Sequence, residues 1–387
     1  MDFNFSQEQR QLQDTIERFV RNDYGFDKRR AIAASADGYS RQAWNSLADL
    51  GVLAINVPEA QGGLGFGPVE TMLAMQASAP ALPCEPLLSS AVIATALVRD
   101  FGDAAARDEL LPALAAGERI VVLAHHEAPA RGMAGPVHTR AAVEGDGYVL
   151  DGRKAVVIDA AAADELLVSA RLSGAPEDAD GVLLLRVPRG TAGLSLREYA
   201  TIDGRRAAEV ELRGCFVPAQ AALGTPGQAL PAIERALDIG LAALCAEALG
   251  LLQATVDATA EYLRTRQQFG QPIGRFQALQ HRAADMLLHL EQARSMTYLA
   301  AMRCTDPDDQ SRRQALSAAK VVVGQACRFI SQQAVQLHGG MGMTDELVLS
   351  HWFKRLLAIE TSMGDTDTHL QRFAALSQRE ALQAAQA

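Results

Sequence analysis

Aromatic side chains are scarce, 5% of 387 residues with only two tryptophans, and basic residues are outnumbered 36 to 46 by acidic ones, a net charge of −10. An acidic chain with few rings has little to neutralise phosphates or stack on bases, which argues against a nucleic-acid surface. Cysteines are few and odd in number (Cys84, Cys215, Cys245, Cys304 and Cys327), and none forms a CxxC pair. A disulfide framework and a zinc site are therefore not expected, and reduced thiols in a cytoplasmic protein are. His125, His126, His281, His338 and His369 lack zinc-type spacing with a third ligand, and no GxSxG is present. The N-terminus, MDFNFSQEQRQLQ, has no basic stretch leading into an apolar one, so no secretory signal is expected. No apolar run reads as a membrane span; the nearest, Ile239–Val256, carries Glu247 near its middle.

What the chain does have is core material. Apolar residues make up 49% and charged residues 21%, too apolar for disorder, and the length suits two or three domains. Residues 1–118 carry helical periodicity. Ser6 with Gln9 predicts a capping box, and Leu12, Ile16, Phe19 and Val20 follow as a core stripe. Ala43, Leu47 and Leu50 predict a short second helix ended by Gly51, Pro58–Gly65 reads as a loop, and helical patterns resume over Val69–Ala77 and Ala91–Asp100. Residues 119–226 change to short strand-like runs: Ile120–Leu123, Gly147–Leu150, Ala155–Ile158, Glu165–Ala170, Val182–Val187 and Val210–Val217. Gly-Asp-Gly at 145–147 and Asp151-Gly152 predict hairpin turns between them. Residues 227–387 return to long helices, Ala232–Arg264, Phe276–Thr305 and Ser311–Leu337, whose lengths suit an antiparallel bundle. The expected order is a mainly α protein with a central β domain.

Two segments could carry chemistry. Gly62–Gly67 lacks a P-loop lysine and reads as a structural turn. His338-Gly339-Gly340-Met341-Gly342 interrupts the helices with bare backbone, and Gln336 beside it offers an amide able to read a heterocycle edge. A simple helix–helix turn would also explain those glycines. The segment Arg264–Gln277, RTRQQFGQPIGRFQ, combines cations suited to a pyrophosphate, an aromatic, and a glutamine opening a helix. A solvated charged hairpin is the equal alternative.

RTRQQFGQPIGRFQ resembles the signature of the acyl-CoA dehydrogenase family, as do VPEAQGGLG at 57–65, YVLDGRKAVV at 148–157 and QLHGGMGM at 336–343, in the family's order. The resemblance covers essentially the whole chain. It implies an N-terminal α-helical domain (1–118), a middle β-barrel or sandwich domain (119–226) and a C-terminal four-helix bundle (227–387). It also implies FAD at a subunit interface of a tetramer, an acyl-CoA substrate, and electron-transfer flavoprotein as acceptor. By motif matching, Arg266 and Phe269 would meet the pyrophosphate of FAD with Gln277 nearby. Gln336, Gly339 and Gly340 would meet the adenine end of a neighbour's FAD. LCAEALG at 244–250, QHRAADM at 280–286 and GDTDTHL at 364–370 are similar to the branch of pimeloyl-CoA dehydrogenase small subunits, often paired with a larger related subunit as α2β2.

Three departures from the family pattern stand out. His126–Met133 replaces TEPxxGSD, so that His126 and backbone N–H groups would have to serve there; Ile158 replaces a flavin-bonding threonine; and the EGT motif of the base matches Asp365-Thr366-Asp367. The implied reaction, α,β-dehydrogenation of a thioester, needs a carboxylate base, best with a pKa raised by desolvation. Asp365 stands at the motif position, and its structural reading is a helix N-cap. Glu247 is the only charge between Asp238 and Asp257, and its structural reading is a buried pair with an arginine. Some members of the family that the chain resembles take their base from this helix, at a position matching 240, where this chain has Gly240. Two further readings stay open: a weakly catalytic or non-catalytic partner subunit, and a flavin-dependent oxygenase on the same fold.

Overall fold

The computed structural model describes residues 5–128 and 135–386, with side chains through Arg379. Six helices come first: α1 (Gln7–Asp23), α2 (Phe26–Ala34), α3 (Arg41–Asp49), α4 (Pro68–Ser78), α5 (Thr95–Phe101) and α6 (Ala104–Ala115). Strands β1 (Val121–Ala124), β2 (Arg140–Glu144), β3 (Gly147–Ile158), β4 (Glu165–Arg171), β5 (Val182–Pro188), β6 (Leu194–Ala200) and β7 (Arg206–Pro218) follow. Helix α7 (Ala229–Thr265), a small hairpin of β8 (Gln267–Gln268) and β9 (Gln271–Pro272), and helices α8 (Gln277–Arg303), α9 (Asp309–His338), α10 (Val348–Thr361) and α11 (Thr366–Gln386) complete the chain. The order is α, then β, then α, as the periodicities predict.

Compactness gathers these segments into two units: residues 27–71 with 84–240, and residues 1–26 with 72–83 and 241–387. The division at 118 and 226 is one along the chain.

In the first unit the strands form one sheet ordered β1-β4-β2-β3-β7-β6, with β5 on the other edge of β4. Two turn signals behave differently. Gly-Asp-Gly at 145–147 closes the β2–β3 hairpin, pairing Glu144 with Gly147. Asp151-Gly152, expected to be a turn, lies instead inside the single long strand β3. The ladder to β7 slips between Leu150 and Gly152 and again between Lys154 and Val157. Both slips are bulges that bend the strand without ending it. Strands β2 and β6, which the sequence reading missed, are short and mostly exposed. Leu87–Ala94, ahead of α5, is a π-helix.

In the second unit the predicted capping box is present: Ser6 Oγ accepts from Gln9 N–H at 3.1 Å, and Gln9 Oε1 accepts from Ser6 N–H at 2.9 Å. Helix α9 packs against α8, α10 and α11, burying Leu316, Ala319, Val323, Cys327, Ile330 and Ala334 at three- and four-residue spacing. Helix α7 is apolar enough by length and composition to cross a membrane, yet 83% of that apolar window is buried inside the protein. It is a core helix. All five cysteines are buried free thiols.

Candidate active site

In the unit holding the bundle, the two motif segments lie at the ends of α7 and α9. The β8–β9 hairpin turns on Phe269 and Gly270, at φ 54° and 77°. Positive φ at both central residues is the type I′ geometry, which favours Asn-Gly and strains a phenylalanine. The Phe269 ring is nevertheless 88% exposed, touching Phe276 edge-on at 5.9 Å between centroids. Arg266 and Gln277 are exposed on either side of the hairpin. At the end of α9, Gln336 is exposed. Gly339, at φ 59°, and Gly340 would each have open space around an added Cβ. Tyr262 joins the segments, a link the sequence reading did not single out. Its ring stacks on His338 at 4.3 Å, and its hydroxyl donates to His338 O at 3.4 Å. His338 Nδ1 faces Ala334 O at 2.8 Å, and burial holds the imidazole below its ordinary pKa. The glycine loop is thus anchored to the helix that leads into Arg266.

Both candidate bases lie in this unit. Glu247 is buried, and both its oxygens accept from Arg355, Nε at 2.7 Å and Nη2 at 2.8 Å. Asp365 is exposed and caps α11, its Oδ1 accepting from Thr368 N–H at 2.8 Å. Those Thr368 hydrogen bonds hold the carboxyl below its ordinary pKa. In the chain alone Asp365 is therefore a hydrated, ionised carboxylate rather than the desolvated acid that the chemistry favours, because its cap bonds favour the charged form.

In the sheet unit, His126 is half-buried, and burial depresses its pKa, leaving a neutral ring. Its carbonyl accepts from Ala155 N–H at 2.8 Å, tying residue 126 to β3. Residues 129–134, within the expected TEPxxGSD replacement, lie outside the described residues. Ile158 is half-buried at the end of β3 and offers only hydrocarbon. Beneath these positions is a buried polar cluster missed from sequence. Lys154 Nζ donates to Glu127 Oε1 at 2.6 Å and to Ser169 Oγ at 2.9 Å. Glu127 also accepts from His138 N–H, Thr139 N–H and Thr139 Oγ1, and His125 Nδ1 meets Ser169 Oγ at 2.9 Å. Burial brings the Lys154 ammonium down to about 8 and the His125 imidazole to about 3. Asp159, next to Ile158 and left-handed at φ 62°, is held by Ser89 Oγ at 2.6 Å and Arg205 Nη2 at 2.9 Å. Because Asp151-Gly152 reads as a turn, there was no sign in the sequence that β3 runs on through Lys154 and buries it.

Comparison with known proteins agrees with this anatomy. Family models of the acyl-CoA dehydrogenase N-terminal, middle and C-terminal domains match residues 6–118, 127–215 and 228–376. The chain is 29% identical over 326 residues to the mitochondrial short-chain specific acyl-CoA dehydrogenase of Mus musculus, covering 83% of this chain and 78% of the relative. Among solved structures, the ChsE4–ChsE5 complex from Mycobacterium tuberculosis superposes with a TM-score of 0.86 at 25% identity, covering 97% of this chain and 98% of that one. The FAD complex of PigA gives the same TM-score, identity and coverage. The chain belongs to the acyl-CoA dehydrogenase family, oxidoreductases acting on a CH–CH bond.

Proposed function

We propose that the chain oxidises an acyl-CoA thioester to the 2-enoyl-CoA with FAD as cofactor and Asp365 as base. The reading rests chiefly on the adjoining motif segments, where Arg266, Gln277 and Gln336 are exposed and Gly339 and Gly340 leave backbone open. A guanidinium beside an exposed ring suits a pyrophosphate, and a bare loop flanked by an amide suits an adenine edge. That donor set fits the ADP half of FAD, and PigA, which shares the fold, is described as an FAD complex. By motif position His126 would serve at the ring end, since Ile158 offers no donor. Bound FAD would supply the two-electron oxidant.

The chain's own part is the proton. Asp365 takes the α proton, the C–H pair becomes enolate density on the thioester, and a C=C bond forms as hydride leaves the β carbon. Asp365 is ionised and so able to accept a proton; a seated thioester would exclude water and raise its basicity. Glu247 is the weaker candidate, because protonating it would break a buried bidentate pair. The assembly is a homotetramer or an α2β2 complex, located in the cytoplasm, with electron-transfer flavoprotein as the acceptor.

Ile158 favours a second reading, in which the chain is a partner subunit supplying part of a flavin site. Purification of the chain alone separates the two: a yellow protein with one FAD per chain supports the first, a colourless one the second. Asp365→Asn should abolish exchange of the substrate α proton while FAD stays bound; unchanged exchange would overturn the assignment of Asp365.

A further inference from the structure

The turn between α10 and α11 is held by more buried polar groups than a helix connection needs. Met363 and Gly364 are both left-handed, at φ 55° and 93°, and Met363 is not a glycine. Such backbone persists only where the surroundings over-determine it. Here they do. Lys320, fully buried on α9, donates Nζ–H to Glu360 O at 2.7 Å and to Gly364 O at 2.8 Å. His369 on α11, 1% exposed, meets Met363 O through Nε2 at 2.9 Å and Ser317 Oγ through Nδ1 at 3.3 Å. Glu360 Oε1 accepts from Thr366 Oγ1 at 3.0 Å and from Arg328 Nη2 at 3.0 Å. Gly324 gives the start of α11 room, since a Cβ there would lie 2.6 Å from Thr366 Oγ1.

The lysine is the unusual member. Among the described residues no carboxylate lies within ion-pair distance of it, so its charge rests on two backbone carbonyls, one in the last turn of α10. A buried cation is costly unless hydrogen bonds offset its lost hydration, and here carbonyls at and just beyond the end of α10 do so. The residue immediately after the clamped carbonyl of Gly364 is Asp365.

We propose that Lys320 and His369 are positioning residues that fix the 363–365 turn so that Asp365 is presented to the substrate α carbon in one orientation. The inference rests on Asp365 being the base. The titratable groups facing the lysine are Cys245 from α7 and Cys327 from α9, whose thiols burial keeps neutral, Glu360 from α10 and Asp365 itself. Around His369 they are Lys320, Arg372 and Asp365. The ammonium favours the ionised form of Asp365, so its loss makes that carboxyl easier to protonate.

The test compares Lys320→Met, His369→Ala, His369→Gln and Asp365→Asn in the full chain. In the FAD-free protein, amide hydrogen exchange of a peptide spanning 360–368 should rise about tenfold or more in Lys320→Met and His369→Ala, and stay near wild type in His369→Gln, which keeps an N–H donor. In the holoenzyme, with whichever saturated CoA thioester of a graded panel it turns over, Lys320→Met should lower α-proton exchange about tenfold or more while thioester affinity stays within about threefold. The acid limb of its pH profile should move to higher pH, and that of His369→Gln should not. Unchanged amide exchange, an equal loss in affinity, or an unmoved acid limb in Lys320→Met overturns the inference. If Lys320→Met fails to fold, the His369→Ala and His369→Gln pair decides: equal behaviour of the two overturns it. If Asp365→Asn leaves α-proton exchange intact, the base assignment has failed, whatever the turn does.

Discussion

Two lysines are fully buried, one in each compact unit, and they are compensated in different ways. Lys154 in the sheet meets a carboxylate, Glu127, which is itself saturated by Thr139 and the backbone of His138. Among the described residues Lys320 in the bundle meets only carbonyls. The first arrangement welds two chain segments, 125–127 and β3, into one piece beside His126 and Ile158. The second spends a buried charge on the shape of one turn. A charge paired with a charge supports stability only as long as both partners remain, whereas a charge on backbone dipoles shapes the chain locally.

The difference can be broken by mutation. Lys154→Met strands the Glu127 carboxylate in the interior and should cost about 3–5 kcal/mol in denaturant unfolding. Replacing Lys154 and Glu127 together by apolar residues should recover most of that loss. Lys320→Met leaves two carbonyls short of a donor, at about 1–3 kcal/mol each if neither relaxes toward another partner. A double replacement of Lys154 and Glu127 that recovers none of the Lys154→Met loss would contradict the comparison.

Acid sharpens it next. Burial holds His125, beside Lys154, near 3 and His369, beside Lys320, near 4, against an ordinary value of 6.5. The unfolded chain therefore takes up these protons first, and stability should fall as pH drops through about 6.5, by roughly 2 kcal/mol per histidine at pH 5. Urea titrations from pH 7 to pH 5 measure the slope, and His369→Gln should remove about half of this histidine contribution. The smallest effect is expected at the hairpin. Phe269→Asn relieves a strained φ and should stabilise the chain by about 1 kcal/mol or less, while weakening FAD retention. Lower stability in that variant would mean that the ring serves the fold.

The helical bundle was legible because α7, α8 and α9 are long, with glycine and proline sparse within them. The sheet was less so: Asp151-Gly152 carries the chemistry of a turn but makes a bulge, since β7 continues beside it and supplies a ladder on both sides. The motif residues at 266–277 and 336–340 could be named from their local chemistry. The buried polar groups could not, because Lys154 and Glu127 are 27 positions apart and Lys320 and Gly364 are 44 apart. Only tertiary packing joins such pairs. A lone lysine at 320 on the stripe of Leu316, Ala319, Val323 and Cys327 was the one local signal that it is buried.

Anaerobic titration of the purified, FAD-loaded protein with a panel of saturated CoA thioesters tests the central claim most directly. Bleaching of the visible flavin band by at least one thioester, with the matching 2-enoyl-CoA formed in equal amount, is the expected result. A flavin band that no thioester on the panel bleaches, in the chain alone or with a related larger subunit added, would contradict the account.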